Sequence, residues 1–176
     1  MPKVRFRVDI APVESGEGLN ADGMDVVRFL MSANVGEDLK PIQKIASGGE
    51  LARIMLCLKN VLAENDDVGT LVFDEVDTGV SGRAAQKVAE KMADVAGCKQ
   101  VLCVTHLPQL AAMADVHFSV EKGERGGRTY TAVEELSTQR RREELARLTS
   151  GDHITQAALD SAGELLSGAE GYKKGL

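Results

Sequence analysis

The chain has 176 residues, of which 43% are hydrophobic and 27% charged. This composition is close to the globular average, so it excludes wholesale disorder and predicts a single domain over residues 1–176. A net charge of −6 excludes a globally basic nucleic-acid binder, and 3% aromatic residues make a base-stacking surface unexpected. Since neither a signal peptide nor an apolar stretch of bilayer length occurs, we expect a cytoplasmic protein without membrane contact.

Two strands and a helix are predicted in the first third of the chain. Apolar and charged residues alternate from Val4 to Ile10, which predicts a half-buried strand, and a second strand at 24–32 is expected to pair with it antiparallel. Loops are expected at 14–23 and 34–44. From Leu51 the apolar period becomes helical, which predicts one buried helix face. The residues of that face are Leu51, Ile54, Met55, Leu58, Val61 and Leu62.

A strand–helix–strand unit is predicted next. The apolar runs 70–73 and 100–105 predict strands buried on both faces of a parallel sheet, with a helix from Ser81 to Gly97 between them. The further predicted elements are a helix at 108–114, a hairpin over 116–133, and helices at 138–148 and 155–166. The sequence therefore predicts an α/β fold with a parallel-sheet core, flanking helices and β-hairpins.

The three cysteines are Cys57, Cys98 and Cys103, and each lies within or beside an apolar run. No C-x-x-C pair occurs, so the spacing does not suggest a zinc site. We therefore expect buried thiols at these positions.

The segment Ser47 to Glu50 reads SGGE at the start of the predicted helix. In a capping box, Ser47 would cap the helix and Glu50 would reach back to the cap amide. That interpretation does not require Gly48 and Gly49, which leave backbone amides and the positive end of the helix dipole open to an anion. A helix cap and a phosphate-binding loop both remain open here.

Polar side chains follow the two predicted parallel strands. Asp74 and Glu75 come at the carboxyl end of the first, where α/β proteins place ligands. Asp74 could hold a hydrated Mg²⁺, and Glu75 could orient or deprotonate a water molecule. His106 ends the second strand, so we expect it close to Glu75 at the same sheet edge. The alternatives are a solvated loop for the carboxylates and a structural or exposed histidine.

The order of these motifs resembles the C-terminal half of an ABC-type ATPase head of the SMC-like branch. In that comparison Ser47 to Glu50 match the signature loop, 71–75 the Walker B strand, Asp77 the D-loop and His106 the switch histidine. The strings KIASGGELARIML, FDEVDTGVSGRAAQKV and VLCVTHLPQLAAMAD are similar to those of the RecN-type bacterial DNA repair ATPases. The resemblance covers about residues 26–166.

The resemblance implies an ATP site with Mg²⁺ that lies between two heads of a homodimer. The signature loop, Ser47 to Glu50, would contact the γ-phosphate bound by the other head, and Asp77 would lie at the dimer seam. Asp74 would help to hold Mg²⁺ through water, Glu75 would position the attacking water, and His106 would contact the γ-phosphate.

The chain contains no G-x-x-x-x-G-K-[ST] sequence, the Walker A loop that binds the nucleotide phosphates. In the family this loop lies in an N-terminal half, beyond a long coiled coil. The resemblance therefore implies a half-head, either a fragment or a stand-alone piece, whose partner is the Walker A half of the same protein. We expect the isolated chain neither to bind ATP tightly nor to hydrolyse it.

The implied function is ATP hydrolysis coupled to DNA during double-strand-break repair, at the nucleoid. The alternatives are a non-catalytic docking half-head and a head of another SMC-like or ABC ATPase. Lys3, Arg5 and Arg7 on the first strand, or the three arginines at 140–142, could meet DNA phosphates. For these basic residues we favour a solvated charged face.

Overall fold

The computed structural model describes residues 4–13, 23–32, 36–44 and 47–176. Most of the loop expected at 14–23 lies outside these ranges, as does Lys3. The chain comprises two compact units, Met1–Leu51 and Ala52–Leu176. Within the described ranges, no helix combines the length and the apolar composition that a membrane crossing requires.

The first unit is built on a small antiparallel sheet. Its elements are β1 (Arg5–Pro12), β2 (Asp25–Ser32), β3 (Lys40–Pro41) and a 3₁₀ turn (Ile42–Lys44). β2 lies between the other two strands, and Val8 is opposite Phe29 in the β1–β2 register. The expected antiparallel pair is therefore confirmed, while part of the expected loop at 34–44 forms β3 and the turn.

One face of the β1–β2 pair is apolar and exposed. Phe6, Val8 and Ile10 lie beside Val27 and Phe29, and these five side chains are 45% to 63% exposed. The rings of Phe6 and Phe29 stack with their centroids 5.9 Å apart. The alternation of β1 predicts a buried face, and that expectation is wrong for these residues. The described part of the first unit offers no element that covers them.

The second unit has an α/β core. Its elements are most of α1 (Gly48–Leu62), β4 (Thr70–Phe73), α2 (Gly82–Ala96), β5 (Gln100–Cys103), α3 (Pro108–Met113), β6 (Phe118–Arg125), β7 (Arg128–Glu135), α4 (Thr138–Ser150) and α5 (Gln156–Lys173). β4 and β5 are parallel, with α2 as their connection, and β6 and β7 form a hairpin. The predicted α/β fold, with its parallel sheet, flanking helices and hairpins, is confirmed.

Small and aliphatic side chains fill the core of the second unit. Val76, Ala85, Leu145 and Ala146 are completely buried. Ser137 caps α4 by accepting a hydrogen bond from the Arg140 amide, and α4 ends at Gly151, whose φ of 72° glycine adopts without strain. This packing of α2 to α5 fixes the positions of β4 and β5, and with them the polar residues at their carboxyl ends.

The parallel strands are buried on one face only, which corrects the expectation of two buried faces. Leu71 and Phe73 are buried, whereas Val72 is 69% exposed and Leu102 is 50% exposed. Side chains alternate across a strand, so one face of β4 meets the core and the other meets solvent. The described helices of the second unit cover just that one face.

The buried side of α1 also differs from the expected one. Leu56, which does not belong to the predicted face, is 2% exposed and packs in the core together with Ala52. Met55 and Leu58 of the predicted face are each 41% exposed, and Val61 is 81% exposed. The helix carries apolar residues on more than one side, so its sequence period could not identify the side that meets the core.

The cysteines are less buried than expected. Cys57 lies on an exposed part of α1 and Cys98 in the exposed turn after α2, while Cys103 is partly buried at the end of β5. Burial first, and then the negative charges of Asp77 and Asp74, raise the pKa of the Cys103 thiol to about 12. This thiol is therefore protonated at neutral pH and adjoins the acidic residues that follow β4.

Candidate functional site

The segment from Ser47 to Glu50 forms a capping box at the start of α1. The Glu50 amide donates to Ser47 Oγ at 3.4 Å, and the Ser47 amide donates to Glu50 Oε2 at 3.1 Å. Gly48 is exposed and Gly49 is buried. The capping interpretation is confirmed by these reciprocal bonds, and anion binding at the same amides stays a prediction.

Asp74 and Glu75 lie together at the carboxyl end of β4, and both are exposed. The Glu75 amide donates to Asp74 Oδ1 at 2.8 Å, which orients the Asp74 carboxylate. Glu75 has a φ of +57°, and no other non-glycine residue in the described ranges has a positive φ. A side chain in this region costs about 1–3 kcal/mol, and such conformations are concentrated at functional sites.

Asp74 has the donor type that a hydrated magnesium ion prefers. Mg²⁺ in nucleotide sites is held by one or two carboxylates and phosphate oxygens, and it keeps several water molecules. The exposed and oriented Asp74 carboxylate fits that partial role. In the part of the chain that the structure describes, no group of three or more His, Cys, Asp or Glu side chains converges on one point.

Asp77 connects the loop after β4 to the end of β5. Its carboxylate Oδ2 accepts hydrogen bonds from Thr105 Oγ1 at 2.6 Å and from the His106 amide at 3.0 Å, and it lies 3.1 Å from His106 Nδ1. Asp77 is 3% exposed. Burial is the largest influence and raises the pKa of Asp77, but the hydrogen bonds from Thr105 and His106 together hold it below its ordinary value. The carboxylate is therefore ionised at neutral pH.

Two residues of this arrangement were not singled out from the sequence. The Thr105 hydroxyl donates a hydrogen bond to Asp77 and accepts one from the Leu107 amide at 3.0 Å. Arg53 Nη1, from α1, donates to the backbone carbonyls of Val76 at 3.1 Å and Thr78 at 2.8 Å. A charged residue in an otherwise apolar helical stretch was the available signal for Arg53, and the polar Thr-His pair at the end of an apolar strand was the signal for Thr105.

The structure joins four of the predicted site residues of the second unit in two hydrogen-bonded pairs. Asp74 is bonded to Glu75, and Asp77 is bonded to His106. The signature-like segment, Ser47 to Glu50, belongs to the first unit. A direct contact between His106 and Glu75, expected from their strand ends, stays a prediction.

The arginine run at the start of α4 is used within the fold. Arg140 pairs with Glu134 of β7, and Arg142 Nη2 lies 3.0 Å from Asp160 Oδ1 of α5. Arg141 donates to backbone carbonyls at the end of α3, where a cation suits the helix dipole. These contacts support a structural role for the three arginines.

Comparison with known proteins gives one consistent group of relatives, although no family model matches. The chain is 47% identical over 169 residues to the DNA repair protein RecN of Bacillus subtilis (95% of this chain, 29% of the relative). Identity to RecN of Treponema pallidum is 43% over 178 residues (99% and 31%), and to RecN of Deinococcus radiodurans 48% over 148 residues (84% and 26%). The chain thus spans about 30% of the length of these relatives.

Solved structures show the same fold at lower identity. A structure described as "Structural biochemistry of ATP-driven dimerization and DNA stimulated activation of SMC ATPases" matches with a TM-score of 0.53 and 20% identity, covering 86% of this chain and 85% of that one. The Smc head domain of Pyrococcus yayanosii, with its coiled coil and joint, matches with a TM-score of 0.59 and 22% identity (85% and 26%). The chain is therefore RecN-like in sequence over nearly its whole length and has the fold of an SMC ATPase head.

Proposed function

We propose that this chain forms the half of a RecN-like ATPase head that carries the signature loop and the Walker B strand. The full-length protein would couple ATP hydrolysis to DNA double-strand-break repair at the nucleoid. The observation that carries the proposal is the pair at the end of β4, where Glu75 has a left-handed conformation next to an oriented Asp74. The RecN relatives, which are named DNA repair proteins, support the assignment to repair.

The residues after β4 and β5 would carry out the chemistry. Asp74 would hold Mg²⁺ through water, and the bound ion would neutralise charge on the phosphates. Glu75, an exposed carboxylate, would orient the attacking water and accept its proton. His106, whose side chain is 72% exposed, would donate a hydrogen bond to the γ-phosphate.

The start of α1 would act on the nucleotide of a second head. Ser47 and Gly48 are exposed at the first turn, where free amides and the positive end of the helix dipole attract an anion. The loop that contains Asp77 would lie at the seam of this homodimer. Two ATP molecules would then join two copies of the head.

The Walker A half of the same protein is the partner that this chain requires. Val72, Leu102 and Val104 are 50% to 69% exposed on the open face of the β4–β5 sheet. Apolar surface of this kind is typical of an interface rather than of a solvated face. A further strand-containing half that packs on this face would bury these side chains and supply the missing phosphate-binding loop.

Glu75→Gln in the full-length protein tests the assignment. Loss of the general base should reduce ATP turnover by about 10²-fold or more, while ATP binding persists. The ATP-engaged dimer should then accumulate, which size-exclusion chromatography with ATP would detect. Glu164→Gln, at an exposed position of α5, is the matched control and should turn over ATP normally. If Glu75→Gln hydrolyses ATP at nearly the wild-type rate, Glu75 is not the general base and the proposed function is refuted in this form.

A further inference from the structure

The hydrogen-bond pattern around Asp77 is specific to one carboxylate oxygen. Asp77 Oδ2 accepts hydrogen bonds from the Thr105 hydroxyl at 2.6 Å and from the His106 amide at 3.0 Å, and it lies 3.1 Å from His106 Nδ1. The Asp77 side chain is 4% exposed and that of His106 is 72% exposed. A buried anion therefore holds both the backbone and the ring of an exposed histidine.

This pattern determines which ring nitrogen carries the proton. An ionised carboxylate can accept hydrogen bonds but cannot donate them, so the nitrogen that faces it must be the N–H nitrogen. In the neutral ring of His106, Nδ1 then carries the hydrogen and Nε2 carries the lone pair. For Nε2 to donate a hydrogen bond to the γ-phosphate it must carry a hydrogen as well, so the ring in that contact would hold hydrogens on both nitrogens, one facing Asp77 and one facing the phosphate.

The loop that carries Asp77 is held from its other side as well. Arg53 donates to the carbonyls of Val76 and Thr78, which flank Asp77 on either side, and Val76 is fully buried. Thr105 extends the network to the Leu107 amide at the start of α3. Because Val76, Thr78 and Thr105 are all held by hydrogen bonds, the Asp77 carboxylate has a fixed position and can determine the orientation of the His106 ring.

We propose that Asp77 is a positioning residue that acts through His106, by accepting the Nδ1 hydrogen and so aiming Nε2 at the γ-phosphate, to which Nε2 donates when it also carries a hydrogen. The inference rests on the proposed function, in which His106 contacts that phosphate. In this proposal the D-loop carboxylate, Asp77, orients the histidine of its own head. The loop that carries Asp77 would also lie at the dimer seam. The alternative is a purely structural bond between two loops.

The tautomer of His106 can be measured on this chain without nucleotide. Long-range ¹H–¹⁵N correlation spectra recorded at alkaline pH, where the imidazole ring is neutral, distinguish Nδ1–H from Nε2–H rings. The chain contains three histidines, so His106→Gln identifies the signals, and His117 and His153 are internal references. We expect Nδ1–H at His106 in the wild type and a shift toward Nε2–H in Asp77→Asn. An Nε2–H ring in the wild-type chain would overturn the proposal, and that measurement needs no substitution at Asp77.

A double-mutant cycle in the full-length protein tests the consequence for turnover. Asp77→Asn should lower kcat by about 10- to 100-fold, the range for removal of a residue that orients a functional histidine, with little change in KM. In a His106→Ala background the same substitution should have no further effect, because its route of action is gone. Asp160→Asn, at an exposed carboxylate that pairs with Arg142, is the control.

The outcomes separate this inference from the proposed function. Equal effects of Asp77→Asn with and without His106 would show a structural role and overturn the inference, even if Glu75→Gln abolishes hydrolysis. Turnover that does not depend on Glu75 would refute the proposed function, while an Nδ1–H ring at His106 would still establish the contact with Asp77.

Discussion

Substitution of Ser47 separates helix capping from phosphate binding. In Ser47→Ala the Glu50 amide loses its 3.4 Å contact, whereas the Ser47 amide can still donate to Glu50 Oε2 at 3.1 Å. The lost contact is long, so we expect a cost in the lower half of the usual range, about 0.5–1 kcal/mol. For a chain of this size that corresponds to a fall in Tm of about 1–4 °C. Ser47→Asp should keep the stability, since aspartate caps as well as serine.

Ser137 provides a matched control for this experiment. It caps α4 and accepts the Arg140 amide at the same distance, 3.4 Å, so Ser137→Ala should cost a similar free energy of unfolding. The two sites should differ in function. Ser47→Asp in the full-length protein should abolish ATP-dependent dimerisation and turnover, because a carboxylate would face the γ-phosphate, whereas Ser137→Asp should affect neither. Melting curves and ATPase rates on the same variants decide the matter, and an active Ser47→Asp would leave the capping box as the whole role of Ser47.

Three further predictions concern the second unit. Leu145→Ala, at a fully buried position of α4, should lower the free energy of unfolding by about 2–5 kcal/mol in denaturant titrations. Burial is the largest influence on the pKa of Asp94 and raises it, but hydrogen bonds from Lys91 and from the Tyr172 hydroxyl together hold the pKa below the ordinary 3.8. The ionised Asp94 therefore stabilises the fold above pH 3.8, and this contribution is lost as the pH falls through the lowered pKa. Tyr172→Phe should therefore cost about 1 kcal/mol at pH 7, and its difference from wild type should shrink below pH 4; a pH-independent difference would contradict this. Gly151→Ala should lower Tm, because a φ of 72° is strained for any side chain. Gly168→Ala should raise Tm, because this helical position in α5 has open space for a Cβ. Equal shifts in Tm would refute the conformational argument.

Local sequence patterns predicted the elements well, because their causes are local. The alternation in β1, the turn between β6 and β7, and the glycine that ends α4 all depend on neighbouring residues. Burial was predicted less well, because it depends on which element packs on a given face. Val72 and Val61 illustrate this difference: each lies in the predicted strand or helix, and each is exposed where the pattern suggested a core position.

The candidate site shows the same division. Motif order located Asp74, Glu75 and His106 at strand ends, and the parallel pairing of β4 with β5 explains why that location was predictable. The positive φ of Glu75 has no sequence signal, since glutamate rarely adopts it. The bond between Asp77 and His106 joins residues 29 positions apart, and it follows from the register of two strands and the course of a loop rather than from either motif alone.

Complementation with the Walker A half tests the central claim most directly. Phosphate release from Mg-ATP would be followed for this chain alone, for the Walker A half of its full-length protein alone, and for the two mixed. We predict turnover in the mixture only, and loss of that turnover when this chain carries Glu75→Gln. Hydrolysis by this chain alone, or a Glu75→Gln mixture that is as active as the wild-type mixture, would contradict the assignment of this chain as the catalytic half of a divided ATPase head.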